Sequence, residues 1–306
     1  MNLRSFTREL ADQIRYQRWK AIPWVSIRLY ERFLARRFAS FDLDRTNVYD
    51  RDWNVLLVLD ACRLDLMQEL EPEYPFLQVP DSILSVGATS STWMRRTFVD
   101  GVADEIARTA YVNANPHSEL ELDPNDFALL DNVWEYAWDE NLGTVPARSV
   151  TDRAIATWRN CSPDQMLVHY MQPHAPFVNH PELASGVDLD RVGEKWTGNV
   201  WDRLRTGELS ADKVWEAYKA NLRYVLDDIS LLLDNIDAET VVLTADHGNA
   251  FGEYGFYGHN PTIVSSVIRV PWYTTSAEDI GEYTPTQERE RSEADLESRL
   301  KSLGYV

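Results

Sequence analysis

Cysteine is scarce in this chain: Cys62 and Cys161 are the only two in 306 residues. Two thiols exclude a disulfide scaffold and lean towards a reducing interior. Long apolar runs are missing as well. No stretch reaches the roughly 20 residues that span a bilayer as a helix, and the N-terminus lacks the uninterrupted apolar core of a signal peptide. These absences place the chain inside the cell, with contact to a membrane surface left open. Positive charge is the third deficit. Against 49 Asp and Glu stand 30 Lys and Arg, for a net charge of -19. Phosphate backbones need a positive surface, so no nucleic-acid partner is expected. Such acidity keeps a protein dispersed, and it resembles the composition of proteins from salt-loving organisms.

What is present is globular in kind: 44% hydrophobic and 26% charged residues, enough for a sizeable core. The first forty residues stand apart, because they are basic in an acidic protein. Val25, Leu29 and Phe33 recur every four residues, as do Arg28, Arg32 and Arg36. On a helix these rows form one apolar and one basic face. Such a segment, residues 1–45, can lie on anionic lipid or pack on its own acidic domain. The many carboxylates elsewhere in the chain favour the second use.

From residue 46 to 306 the pattern becomes α/β. Trp53–Asp60 is almost wholly apolar, as expected of a buried parallel strand. Further strands are expected at Ser82–Gly87, Gln165–Met171, Glu239–Thr244 and Ser266–Trp272. Helices are expected after Asp60 through Glu69, over Ser91–Phe98 and over Ala211–Asn235, with a charged surface helix at Gln287–Ser298. Alternation of strands and helices implies a mainly parallel central sheet covered on both faces. Two loop-rich stretches, 100–160 and 181–207, read as a lid or cap.

Three polar clusters follow apolar strands: Asp60-Ala-Cys-Arg63-Leu-Asp65, His169-Tyr-Met-Gln-Pro-His174, and Thr244-Ala-Asp246-His247-Gly248. Open α/β sheets bind ligands beyond the carboxyl ends of their strands, which would gather these clusters at one edge. Asp and His together supply the oxygen and nitrogen donors that divalent metals take. A fourth cluster, Gly87-Ala-Thr89-Ser90-Ser91-Thr92, puts hydroxyls at the start of a helix, where they suit a nucleophile facing an anionic ester. Each piece alone has a plainer use: Asp60 or Thr89 as a helix cap, a histidine as a hydrogen-bonded core residue. The weight lies in four pieces in one order.

That order resembles the alkaline phosphatase superfamily, and within it the sulfatase-like and phosphoethanolamine-transferase-like members. The motifs are LLVLDACRLD, the Ser/Thr turn, HYMQPHAPF, VVLTADHGNAFGEYG and GH ahead of VPW, and the closing Leu300–Tyr305 adds to the likeness. The resemblance implies a metal held by Asp60, Asp246 and His247, with zinc or manganese favoured over calcium by the donor set. It implies a nucleophile at Thr89, the first choice, or Ser90. It also implies that His174 and His259 hold the substrate's anionic oxygens or a second metal, with Arg63 beside the site. The Cys-or-Ser-x-Pro-Ser-Arg signature of formylglycine sulfatases is absent, and Ala61 stands where those enzymes carry a second Asp. A direct hydroxyl nucleophile favours phosphate over sulfate esters. The expected substrate is a small-molecule, glycan or lipid-linked anionic ester. A non-catalytic relative that binds an anionic head group and a sulfatase without formylglycine are the alternatives.

Overall fold

The computed structural model describes residues 44–183, 199–259 and 264–288. The basic segment expected over 1–45 therefore lies outside the described residues save for its last two. Most of the expected helix Gln287–Ser298 and the closing Leu300–Tyr305 lie outside them too.

The core is a seven-stranded sheet. Its middle strand, β1 (Val55–Leu59), is fully buried along its whole length. Five aliphatic side chains with no polar face can only sit where both sides of the sheet are covered. β1 pairs in parallel with β5 (Gln165–Tyr170) and β6 (Ala238–Thr244). Outward from β5 lie β3 (Thr109–Asn113) and β4 (Leu129–Asn132), both parallel. Outward from β6 lie β9 (Arg269–Ala277) and the edge strand β2 (Pro80–Leu84), each antiparallel to its neighbour. All strands but β9 thus run one way, and their carboxyl ends share one edge. A two-stranded ribbon, β7 (Ala250–Phe251) and β8 (Tyr257–Gly258), stands apart.

Helices cover both faces of the sheet. They include α1 (Leu64–Leu70), α2 (Ser90–Thr97), α3 (Ala147–Cys161), α4 (Val200–Arg205) and α5 (Ala211–Leu233). In α5 the buried stripe Val214, Ala217, Tyr218, Leu222, Val225, Ile229 and Leu232 follows the helical period. The expected lid over 100–160 is instead sheet and core. It supplies β3, β4 and α3, which packs against α5, β3 and β5. In the other stretch, 184–198 lies outside the described residues and α4 follows. The sequence boundaries shift modestly elsewhere: β2 starts two residues early, and β9 runs on to Ala277 behind a helical turn at Ser265–Ile268.

Candidate active site

The chain leaves β1 at Asp60 and leaves β6 at Asp246–His247, on adjacent parallel strands. Asp60 is 2% exposed, and Asp246 and His247 are fully buried. What holds each side chain decides which atoms remain. Asp246 Oδ1 accepts the Ala61 N–H at 3.0 Å and the His247 N–H at 2.8 Å. Asp60 Oδ2 accepts from Asn115 Nδ2 at 2.8 Å and from the Ser90 hydroxyl at 3.4 Å. His247 Nδ1 lies 2.9 Å from the Gly248 carbonyl, so that nitrogen carries the proton and Nε2 keeps its lone pair. Asp60 Oδ1 and Asp246 Oδ2 are buried with no hydrogen-bond partner among the described residues.

Those three open atoms face one another. His247 Nε2 is 3.7 Å from Asp60 Oδ1 and 3.4 Å from Asp246 Oδ2, and the ligand atoms of the trio all lie within 4.8 Å. Donors about 2.1 Å from a shared ion at tetrahedral angles stand roughly 3.4 Å apart. Two buried acceptors left bare cost several kcal/mol between them unless a cation takes them. The residues therefore fit a divalent metal, with one imidazole and two carboxylates suiting zinc or manganese better than calcium. Without a cation the two acids cannot both ionise cheaply. Burial, then the Asp246 charge, hold the Asp60 carboxyl well above its ordinary range. Burial pushes Asp246 up too, but His247 and His169 outweigh it and leave that carboxyl below its usual value.

The hydroxyl turn presents its two candidates differently. Thr89 is the N-cap of α2: its oxygen accepts the Thr92 N–H at 3.2 Å and its hydroxyl donates to Thr92 Oγ1 at 2.9 Å. Ser90, the first helical residue, is 6% exposed and places Oγ 3.4 Å from both Asp60 Oδ2 and His247 Nε2. A cap must turn its side chain along the helix towards the next N–H groups, which directs the following side chain elsewhere. Gly87 permits this tight entry, because a Cβ there would come 2.5 Å from Trp93 N. Gly248 is equally constrained, its Cβ position being 2.2 Å from the Ser266 carbonyl oxygen.

His174 and His259 meet above the triad, their ring centroids 5.0 Å apart and His259's 4.7 Å from that of His247. His174 Nδ1 bonds the Ala175 carbonyl. His259 Nδ1 lies 3.0 Å from Asn249 Oδ1, while Asn249 Nδ2 donates to the Tyr218 hydroxyl at 3.3 Å, which fixes the amide's orientation. Both rings therefore carry their proton on Nδ1 and leave Nε2 as a lone pair. Burial, then the charge of His247, lower the His174 pKa to about 4 and the His259 pKa well below its ordinary value. Neutral rings with bare Nε2 accept a proton or hold a cation. They do not donate to anionic oxygens until protonated.

Arg63 lies beside the site with four of its five N–H donors in hydrogen bonds. Nε and Nη2 bond the two Asp65 oxygens at 2.8 and 2.6 Å, and Nη1 bonds Glu253 Oε1 and the Asn249 carbonyl, both at 2.7 Å. The guanidinium also covers the Trp215 ring at 5.1 Å. It ties α1 to the loop after Asp246.

Several residues of this edge are not among the site residues expected from the sequence. Asn115 holds Asp60, and its Oδ1 accepts the His117 N–H at 2.9 Å. His117 Nδ1 is buried without a partner among the described residues. His169, named in the sequence only as part of a cluster, is fully buried, with Nδ1 2.9 Å from the Tyr111 hydroxyl and Nε2 3.9 Å from Asp246 Oδ2. Asn221, midway along α5, donates to the carbonyls of Pro173, His174 and Pro176 and accepts the Val178 N–H, which shapes the loop that carries His174. A strand ending in Asn113-Ala-Asn115-Pro-His117 was the available clue to the first of these.

No protein-family model matches this chain, and no curated protein does. Solved structures do. The soluble domain of lipooligosaccharide phosphoethanolamine transferase A from Neisseria meningitidis is 13% identical over 72% of this chain and 75% of that one, with a TM-score of 0.45. A putative sulfatase from Bacteroides thetaiotaomicron is 12% identical over 82% and 70%, with a TM-score of 0.46. The C-terminal periplasmic domain of phosphoethanolamine transferase EptC from Campylobacter jejuni is 13% identical over 72% and 78%, with a TM-score of 0.43. These structures are named as phosphoethanolamine transferases and a putative sulfatase. At these identities the likeness is one of fold.

The expected place inside the cell is not kept: the similar structures include a periplasmic domain and an integral membrane protein. The grounds for that expectation were weak physically. Two unpaired cysteines, Cys62 buried and Cys161 exposed, need no disulfide in either compartment. Among the described residues no helix is long and apolar enough to cross a membrane.

Proposed function

We propose that this chain is a metal-dependent hydrolase or transferase of phosphate esters, with Ser90 as its nucleophile and Asp60, Asp246 and His247 as its metal ligands. The observation that carries this is the Ser90 hydroxyl set 3.4 Å from His247 Nε2, beside two orphaned carboxylate oxygens. When bound, the metal would supply Lewis acidity, lowering the pKa of a coordinated hydroxyl and polarising the ester. Asn115 and the Ala61 N–H hold the two carboxylates in place. Asp60, whose Oδ2 accepts the Ser90 proton's hydrogen bond, is placed to take that proton. His174 and His259, neutral and with Nε2 bare, are placed to accept a proton from the incoming water or alcohol. Arg63 supports the site by bracing its loop.

A hydroxyl nucleophile and the missing formylglycine signature favour phosphate over sulfate. The substrate class is an anionic ester of a small molecule, a glycan or a lipid. The test is metal content together with turnover of p-nitrophenyl phosphate, a phosphodiester and p-nitrophenyl sulfate, in wild type and Ser90→Ala. Bound metal in both proteins, with phosphate-ester cleavage in wild type alone, supports the assignment. Metal without turnover of any ester would leave a binding protein. Preferred sulfate cleavage would move the reading to a sulfatase without formylglycine.

A further inference from the structure

Positive charge is scarce in this protein, and its use is uneven. Among the described residues every Lys and Arg but three has a carboxylate within ion-pair distance. The three are Arg45, Arg96 and Arg269, and all of them bond one short stretch at the outer end of β2. Arg45 Nη1 donates to the Ser85 carbonyl at 2.5 Å, Arg96 Nη1 to the Val86 carbonyl at 2.8 Å, and Arg269 Nη1 to Ser82 Oγ at 3.1 Å. Thr46 bridges Ser85, and Arg269 stands opposite Leu84 in the β2–β9 register, so three separate elements bring these side chains to one place. Arg96 and Arg269 are exposed and Arg45 is half-buried.

In a chain of net charge -19, three cations with no carboxylate among the described residues at ion-pair distance stand apart from the other described ones. Arg45 and Arg96 lie close enough to repel: burial lowers the Arg45 pKa, and the Arg96 charge lowers it further. A guanidinium has five N–H donors, and one bond to a carbonyl or hydroxyl leaves most of them for an oxyanion. The group spreads over an edge strand and its neighbours, as a surface contact would. The first forty residues of the sequence, which precede Arg45 across the short acidic stretch Phe41–Asp44, hold nine Lys and Arg.

We propose that Arg45, Arg96 and Arg269 form a docking surface for the phosphate groups of an anionic lipid bilayer. The patch sits where β2 passes into the turn that carries Ser90, so docking would hold the site's edge of the sheet beside the membrane. The inference is independent of the catalytic assignment, because binding needs neither metal nor turnover.

The experiment is sedimentation of the full chain with vesicles of phosphatidylcholine alone and of phosphatidylcholine with phosphatidylglycerol. Each arginine near an anionic surface contributes roughly a fivefold factor. The triple variant Arg45→Gln, Arg96→Gln, Arg269→Gln should therefore bind phosphatidylglycerol vesicles about a hundredfold more weakly. The triple variant with Lys at the same positions should retain binding. A control with Arg108→Gln, Arg203→Gln and Arg223→Gln has the same net charge at carboxylate-paired positions and should lose little. Wild-type binding by the Gln variant overturns the proposal. Equal loss in the control traces binding to net charge, and equal loss in the Lys variant traces it to structure; either result overturns it as well. If inorganic phosphate binds the chain without vesicles, with the same arginine dependence, and releases it from them, the arginines form a small-anion site and not a membrane surface.

Discussion

Two buried aspartates in this molecule have opposite fates. Asp152, on α3 and 1% exposed, accepts from the Tyr283 hydroxyl, the Thr286 N–H and hydroxyl and the Gln287 N–H. Its charge is spread over four donors, and it straps the 283–287 segment to the helix. Asp246 is just as buried, yet both of its N–H donors converge on one oxygen and the other is left bare. Asp60 across from it repeats the pattern. Burial alone thus does not mark a functional carboxylate. The mark is burial combined with donors that hold one oxygen and spare its twin, which costs stability unless a cation repays it.

Breaking that comparison most severely, Asp246→Ala should remove metal and with it at least a thousandfold of activity, while Asp152→Ala keeps metal and loses about 2 to 5 kcal/mol of stability. Metal analysis and chemical denaturation of the two variants separate them. Equal metal content in both would sink the distinction. Next in size is Ser90→Ala, expected to lose roughly a thousandfold or more in kcat with metal still bound, as steady-state kinetics would show.

Acid should discriminate too. Burial lowers the pKa of the fully buried His169 to about 4. The unfolded chain, at its ordinary 6.5, takes up the proton first. Stability of the chelated protein should then fall as pH drops from about 6.5 towards 4, by on the order of 3 kcal/mol for this group. His174 adds to the slope in the same direction, moderated by the part of its ring that solvent reaches. A flat denaturation midpoint across that window would contradict the assignment of a neutral buried ring. Asn115→Ala should weaken metal affinity about 10- to 100-fold by freeing Asp60, read by competition with a chelator. Smallest of all, Thr89→Ala should cost about 1 kcal/mol as a lost helix cap and leave kcat nearly unchanged; a large fall in kcat would return the nucleophile to Thr89.

The frame of this site was legible where apolar runs end abruptly in charge. β1 into Asp60 and β6 into Asp246–His247 are such places, and both lie where their sequence suggests. β3 was not legible, because its ends are polar: Thr109 and Asn113 are fully buried only through hydrogen bonds to Glu105, Tyr49 and Asn115, which composition cannot show. With β3 went Asn115 and His117. α3 hid for a related reason, since its buried side includes Ala147, Thr151, Asp152, Ala154 and Thr157, residues too small or too polar to print an apolar stripe. The choice between Thr89 and Ser90 turns on which hydroxyl caps the helix. Four hydroxyls in a row carry no information on that.

The adjacency of β1 and β6 has one more consequence, in the order of synthesis. Ala61 and the Asp246 carboxylate it bonds are 185 positions apart, and they meet only after the last parallel strand has slotted in beside the first. A nascent chain that has not yet released β6 holds half a binding site, with no second carboxylate and no imidazole from that strand. Metal supplied during refolding should therefore be captured late, and its uptake would time the closing of the sheet.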